Sequence, residues 1–437
     1  MTRTIPRLLL LAALAAAAPL GAQERAHVFR GATLLPISSA PIANGVLVVR
    51  GGKIVAVGGP DTPVPAGAEV HDVSGRTIMP GLVDTHSHIG GGDGGDQSAP
   101  LHPSVRILDT IDPQDPGIKR ARSGGVTTVN VMPGSGLLMS GQTVYMKLRD
   151  GNAVDDLLFC ADPLRDVCGG LKMANGTNPR GTAPHPGTRA RAASIVRERF
   201  VRAREYRAKV SAAGRDSTKL PTRDLEMEAL AQVLDGKRTV HFHTHRADDI
   251  LTAMRLAEEF GFRIVLHHVS EAHRVADRIA AARVPASIIA LDAPGGKLEA
   301  VNFSNVNGAA LERAGAPLIA FHTDDGITDS RFFLRSAAMG VRAGMSRERA
   351  LEALTLAGAR MLDLQDRVGS LERGKDADFL VLSGDPFSVY THVEQTWVEG
   401  AKLFDRADPE QRKLAVGGYG AYRGALTHVH EGEEDHE

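Results

Sequence analysis

The chain is poor in the residues that staple or anchor proteins. It holds only two cysteines, Cys160 and Cys168, in 437 residues. Neither has a second cysteine or a histidine at zinc-site spacing, which excludes a cysteine-built metal centre. In an oxidising compartment the two would close a short disulfide loop; otherwise they are free thiols. Excess charge of one sign is also missing. The formal net charge is −1, so nothing points to nucleic acid or an anionic membrane as a partner. There is no repeat of 20–50 residues and no long low-complexity tract. A long apolar run occurs only at the N-terminus, where Arg3 and Arg7 precede the stretch 8–20 and Gly21-Ala22-Gln23 offers a small-residue cleavage point. That pattern is a secretory signal peptide of about 22 residues, too short to span a bilayer as a mature helix. No cysteine follows it, which excludes lipid attachment there. The mature chain is therefore expected to begin near Gln23 and to be exported, periplasmic or secreted. Low aromatic content (4%) with many Ala and Arg residues suits a GC-rich bacterial source.

What remains is an ordinary globular composition, 43% hydrophobic and 24% charged. The length allows two domains or one large barrel with additions. Residues 26–79 read as short strands, with Gly51-Gly52 as a hairpin signal, and 377–383 and 393–398 are again strand-like. This predicts a small β-sandwich built from both termini, 23–79 and 366–405, around a middle domain, 80–365, with a tail at 406–437. In the middle, eight strand candidates fall at 82–84, 127–131, 143–147, 170–173, 239–243, 263–268, 286–290 and 317–321. Helices are expected at 191–213, 223–234, 247–260, 271–282 and 308–314. Alternating strands and helices predict an α/β fold, a (β/α)8 barrel of the TIM type, with a doubly wound open sheet as the other possibility.

In such a barrel the chemistry sits at the C-terminal strand ends. The first candidate strand ends in His86 and His88, two residues that share a face of an extended chain. The fourth contains Lys172. The fifth carries His241, His243 and His245 on one face; alternation does not choose among them, and position favours the last two. The sixth ends in His267 and His268, which should point to opposite faces, so one of them is expected as a ligand. The eighth ends in His322 and Asp324. Eight of the 17 histidines thus crowd the ends of four strands. Burying that many polar rings costs free energy unless they are paired or hold a metal.

These motifs resemble the metal-dependent amidohydrolase superfamily, in its imidazolonepropionase-like and Xaa-dipeptidase-like branch, from about residue 27 to 405. Pro80-Gly-Leu-Val-Asp-Thr-His-Ser-His88 is similar to its strand-1 signature, His243-Thr-His-Arg-Ala-Asp-Asp-Ile250 to strand 5, His268-Val-Ser-Glu-Ala272 to strand 6, and Thr323-Asp324 to strand 8. Gly369-Ser-Leu-Glu-Arg-Gly-Lys-Asp-Ala-Asp378 resembles the segment that returns to the sandwich.

The resemblance implies one or two divalent ions, expected to be zinc, with His86, His88 and Asp324 on one and His243 and His268 on the other. In members with two metals a carboxylated lysine or a glutamate bridges them; Lys172 is the candidate bridge here, with Lys147 as the alternative. A buried lysine has a depressed pKa, and its neutral amine can take up CO2. Asp324 would be the general base toward a metal-activated water. Where the related branch has Gly-Glu-Asn-Pro after that lysine, this chain has Gly176-Thr177-Asn178-Pro179. Arg246, His245, His322 and Arg331 are candidate substrate contacts. For the two arginines, salt bridges to Asp248, Asp249 or Asp325 are the alternative. The glycine-rich loop at 90–95 reads as a lid or a flexible turn, and His428 and His430 in the acidic tail as weak metal ligands or a solvated end.

The expected partner is a small-molecule substrate with a C–N bond in an amide, cyclic amide or dipeptide, with a homo-oligomer left open. Lactone, ester or phosphotriester hydrolysis on the same site is the alternative. A metal- or ligand-binding protein without turnover is a further one, against which Asp324 argues.

Overall fold

The computed structural model describes residues 25–92, 94–290 and 298–417. The expected signal peptide, His428 and His430 lie outside them.

The N-terminal segment forms β1 (His27–Leu34), β2 (Ile42–Arg50), β3 (Lys53–Gly58), β4 (Glu69–Asp72) and β5 (Thr77–Pro80). The middle supplies β6 (Leu82–Ser87), β7 (Val126–Val131), β8 (Met139–Gln142), β9 (Val144–Lys147), β10 (Leu171–Ala174), β11 (Val240–Thr244), β12 (Ile264–His268), β13 (Ala286–Ile289) and β14 (Ile319–His322). The C-terminal segment adds β15 (Phe379–Leu382), β16 (Val393–Val398) and β17 (Ala401–Asp405).

Both ends of the chain share one sheet, ordered β17-β16-β15-β5-β1-β2-β3 with β4 beside β1. Phe29, Leu47, Ile78, Phe379 and Trp397 pack in its core. The strands expected over 26–79, 377–383 and 393–398 are present; β17 is an addition.

The middle strands make two further sheets, β14-β13-β12-β11-β10-β8 and β6-β7-β9. From β10 to β14 every pair is parallel, and these strands are buried on both faces, as parallel sheets between helices must be. Helices alternate with them. Ala247–Phe260 stops at Gly261, which takes the left-handed conformation (φ 73°) that glycine tolerates at no steric cost. Arg189–Ala213 starts on the hydroxyl of Thr188, which accepts the Arg191 N–H. Leu225–Leu234 is capped by Asp224.

Three expectations change. The third candidate strand, β9, runs antiparallel to β7. Only Thr143 separates it from β8, which runs antiparallel to β10. The chain between β7 and β9 is taken up by β8 rather than by a crossover helix, and the bent β8–β9 stretch stitches one sheet to the other. The helix expected at 271–282 is broken into a short 3-10 turn, Ala272–Arg274, and Ala276–Ala281. Beyond β14, helices Arg335–Arg342, Arg347–Ala353 and Leu356–Met361 occupy a stretch where no helices were read. Cys160 and Cys168 form a disulfide. Among the described residues no helix is long and apolar enough to cross a membrane.

Candidate metal centre

The end of β14 lies beside β6. The buried carboxylate of Asp84, within β6, accepts the backbone N–H of Thr323 at 3.1 Å and its hydroxyl, while the Asp324 N–H donates to the His86 carbonyl at 2.9 Å. Burial pushes the Asp84 pKa up to about 7, against the pull of the Thr323 hydrogen bonds. These contacts hold Asp324 (φ 50°) at the mouth of β6.

Four side chains converge there. His86 Nε2 lies 3.3 Å from His88 Nε2, 3.2 Å from Asp324 Oδ1 and 3.0 Å from Lys172 Nζ; His88 Nε2 lies 3.0 Å from Asp324 Oδ1. Ligands about 2.0–2.1 Å from a tetrahedral zinc sit about 3.3–3.4 Å from one another, so the spacing suits a common cation. His88 is aimed by its other ring nitrogen, which contacts the Met132 carbonyl at 2.8 Å. Lys172 is fully buried and also touches Met132 Sδ at 3.1 Å.

A second triad adjoins the first. One ligand atom each of His243, His245 and His268 lies within 4.8 Å of the others. His268 Nδ1 is 4.0 Å from Asp324 Oδ2, so the aspartate faces both groups. His268 Nε2 is buried with no hydrogen-bond partner among the described residues, a costly position for a polar atom that a cation would relieve. The residues fit a divalent metal.

Electrostatics prepare both groups for that role. Burial, reinforced by Lys172 and neighbouring imidazoles, holds His86 well below its ordinary pKa. Burial and the adjacent imidazoles of His243, His322 and His245 do the same to His268. Both rings therefore keep a lone pair at neutral pH. Burial works to raise the Asp324 pKa, but the His88 hydrogen bond and the charges of His88, Lys172 and His322 outweigh it and hold the carboxyl well below the usual range.

The structure brings His86, His88, Lys172 and Asp324 together, and His243 with His268. His245 joins the second triad, with Nδ1 2.7 Å from Ser270 Oγ. The expectation that His267 and His268 diverge fails. His268 and Val269 both have positive φ (68° and 41°), so strand alternation ends at His268 and both rings turn to the histidine cluster. His267 lies against His86 and contacts His241, whose other nitrogen meets the Tyr145 hydroxyl at 2.9 Å.

His322, expected to touch substrate, is instead fully buried. Its ring contacts Ser287 Oγ at 2.8 Å and His268 Nδ1 at 3.0 Å, so it orients His268. The two arginines expected as carboxylate grips are also already engaged. Arg246 donates twice to Asp248, and Arg331 to Asp329 and the Gly417 carbonyl. Asp249 and Asp325 are taken by Arg189 and Arg120. Lys147 is held away from the histidines. It is fully buried in a cage of Asp376, Asp378 (3.2 Å) and Glu399 (3.1 Å), where β9 meets the terminal sheet.

Sequence reasoning missed Glu299. This buried carboxylate sits 3.6 Å from His243 Nε2 and 4.0 Å from His245 Nε2, and its other oxygen accepts the Thr177 N–H at 2.6 Å. It lies well past the end of β13, so a reading of strand ends passes over it. Thr177 is the position where the related branch has glutamate. A cavity of about 660 Å³ lined by Thr239, Met254, Arg263, Pro285 and Leu318 opens near the opposite, N-terminal ends of the strands and holds none of these residues; the chemistry is at the histidines.

Residues 77–404 match the amidohydrolase family. The chain belongs to that family. It is 31% identical over 394 residues to amidohydrolase tasK of Hapsidospora irregularis, a match that covers 83% of this chain but only 40% of that longer protein. It is 27% identical to the imidazolonepropionase of Deinococcus radiodurans, covering 83% of this chain and 92% of the relative. Among solved structures, an amidohydrolase from Thermotoga maritima superposes with a TM-score of 0.80 at 36% identity, covering 87% of this chain and all of the other. These findings support a hydrolase acting on carbon–nitrogen bonds with a fold of TIM-barrel type. Members of the family usually bind a divalent metal, and the histidine groups described above are able to hold one.

Proposed function

We propose that this amidohydrolase is an exported, metal-dependent enzyme that hydrolyses an amide, cyclic amide or dipeptide bond. The observation that carries the reading is the convergence of His86, His88, Lys172 and Asp324 at 3.0–3.3 Å beside a second histidine triad, with Asp324 facing both. His86, His88 and Asp324 would hold one divalent ion and His243 and His268 another, with Lys172, carboxylated, between them. When bound, the cation supplies a Lewis acid and makes a neighbouring water more acidic.

The chain's own residues do the rest. Asp324, ionised at neutral pH, takes the proton from the attacking water and gives it to the leaving nitrogen. His88 fixes the carboxylate through one oxygen. His322 and Ser287 lock the His268 ring, as partners behind metal ligands commonly do. Glu299 fixes His243 and His245 against the Thr177 backbone. We read β6 to β14 as one closed barrel and the shared terminal sheet as the composite sandwich. Export is supported by the N-terminal apolar segment and by the Cys160–Cys168 disulfide.

Metal analysis of the purified chain with a hydrolysis screen over amides, Xaa-dipeptides and lactones tests the proposal. One or two ions per chain with amide or dipeptide turnover is expected. Lactone turnover alone would assign the esterase alternative, and metal without turnover on any substrate would leave a binding protein.

A further inference from the structure

A separate group of possible ligands lies on the terminal sheet, away from the histidines at the strand ends. β1 and β4 are parallel neighbours, with His27 opposite Glu69 and Phe29 opposite His71. Residues two apart on a strand share a face, so His27, Glu69 and His71 project together. His27 Nδ1 is 3.0 Å from His71 Nε2, and the two Glu69 oxygens lie 3.8 Å from His27 Nδ1 and 3.7 Å from His71 Nε2. The edges of a zinc tetrahedron are about 3.3–3.4 Å, and these three distances bracket that length.

The rings are held in place. His71 stacks on Phe29 (centroids 4.6 Å, 13° between planes), and both imidazoles flank the only tryptophan, Trp397, at 5.5 and 5.7 Å. The side chains are about a quarter to a half exposed (29%, 46% and 26% for His27, Glu69 and His71), so a cation can enter from solvent and keep water in an open position. Arg25 approaches Glu69 only at 4.0 Å.

We propose that His27, Glu69 and His71 form a second, non-catalytic site for a divalent d-block cation such as zinc, nickel or copper. Two imidazoles and one carboxylate are a borderline donor set that suits these ions and follows their usual affinity order, with copper tightest. Bound there, the ion clips the short β4 to β1.

Trp397 provides the readout. The full-length protein is first saturated with zinc at its high-affinity sites and desalted. Nickel(II) or copper(II) is then titrated while Trp397 emission is followed. The expected result is saturable quenching at one equivalent, reversed by excess zinc, and weakened at least about tenfold in affinity in His27→Gln and Glu69→Gln. The far-UV circular dichroism spectrum and the zinc content of the histidine-rich centre should be the same in wild type and both variants, which confirms that they fold. His71→Ala serves as a third variant. Quenching that does not saturate, or that is the same in His27→Gln and Glu69→Gln as in wild type, overturns the proposal and leaves a hydrogen-bonded histidine pair. Because no catalytic residue is involved, this result is independent of whether the enzyme's proposed substrate class is right.

Discussion

Two buried lysines give the sharpest test of how the molecule is built, because each should fail in a different assay. Lys147→Ala removes a fully buried cation from among Asp376, Asp378 and Glu399. Arg367 still reaches Asp376 at 2.8 Å and Arg149 still reaches Glu399 at 2.8 Å. The Asp378 carboxylate, fully buried and with its pKa already raised by burial, keeps only the Glu399 backbone N–H among its described hydrogen bonds. Breaking one partner of a buried pair costs about 3–5 kcal/mol. With an unfolding entropy of about 2.1 cal/mol/K per residue over roughly 390 residues, that lowers Tm by about 4–6 °C. Metal content per chain should not change.

Lys172→Ala should do the reverse, with metal content falling to one ion or fewer and a smaller loss of stability once each variant is compared in its metal-free form. The assays are differential scanning calorimetry with and without chelator, and elemental analysis of the same samples. If Lys147→Ala loses metal while Lys172→Ala keeps it, the assignment of the bridging lysine is wrong. If neither changes metal content, the bridge itself is wrong.

Four further outcomes follow from the same contacts. Asp324→Asn should retain fold and metal but lower kcat by about 10²–10⁴-fold, the usual worth of a general base; an Asn variant with wild-type kcat would remove Asp324 from that role. Glu299→Gln should keep the Thr177 hydrogen bond but weaken metal affinity about 10–100-fold, read by chelator competition, and unchanged affinity would reduce Glu299 to a loop anchor. The Asp376 pKa, held at about 2 because Lys147, Lys53 and Arg367 outweigh the effect of burial, lies below its ordinary 3.8. Its contribution of about 2 kcal/mol is therefore present above pH 4 and lost as pH falls toward 2, so wild type should lose more stability than Asp376→Asn over that interval in acid denaturation. Reducing the Cys160–Cys168 link, which closes a loop of sequence separation 8, should cost about 2–3 kcal/mol, measured by denaturant unfolding with and without reductant.

Much of the site was legible because its ligands end apolar strands. The period-two rule put His86 and His88 on one face and His241, His243 and His245 on another, and the family resemblance then singled out His243 and Asp324. The rule fails where the backbone leaves the strand. His268 adopts positive φ, and its ring turns to the side that alternation assigns to His267 alone. It also says nothing about strand direction, so β9 was read as a parallel barrel strand although it returns antiparallel to β7 after the chain has passed through β8. Glu299 comes from a loop, and loops carry no periodicity. Arg246 and Arg331 show another limit. Position suggested a substrate grip, but an acid two residues away in each case, Asp248 and Asp329, takes the guanidinium first.

The shared terminal sheet sets an order of events on the ribosome and after it. β5, finished early in synthesis, has β15 as its antiparallel partner from Leu382 opposite Thr77 to Phe379 opposite Pro80. Until those last strands arrive, Lys147 has no carboxylates and β5 has an open edge, so the chain cannot complete its native fold while it is being made. Pairings this far apart in sequence form slowly. The middle strands therefore stay without their covering sheet until β15, β16 and β17 have been made, and a chain held open that long depends on not pairing its free β5 edge with a neighbour.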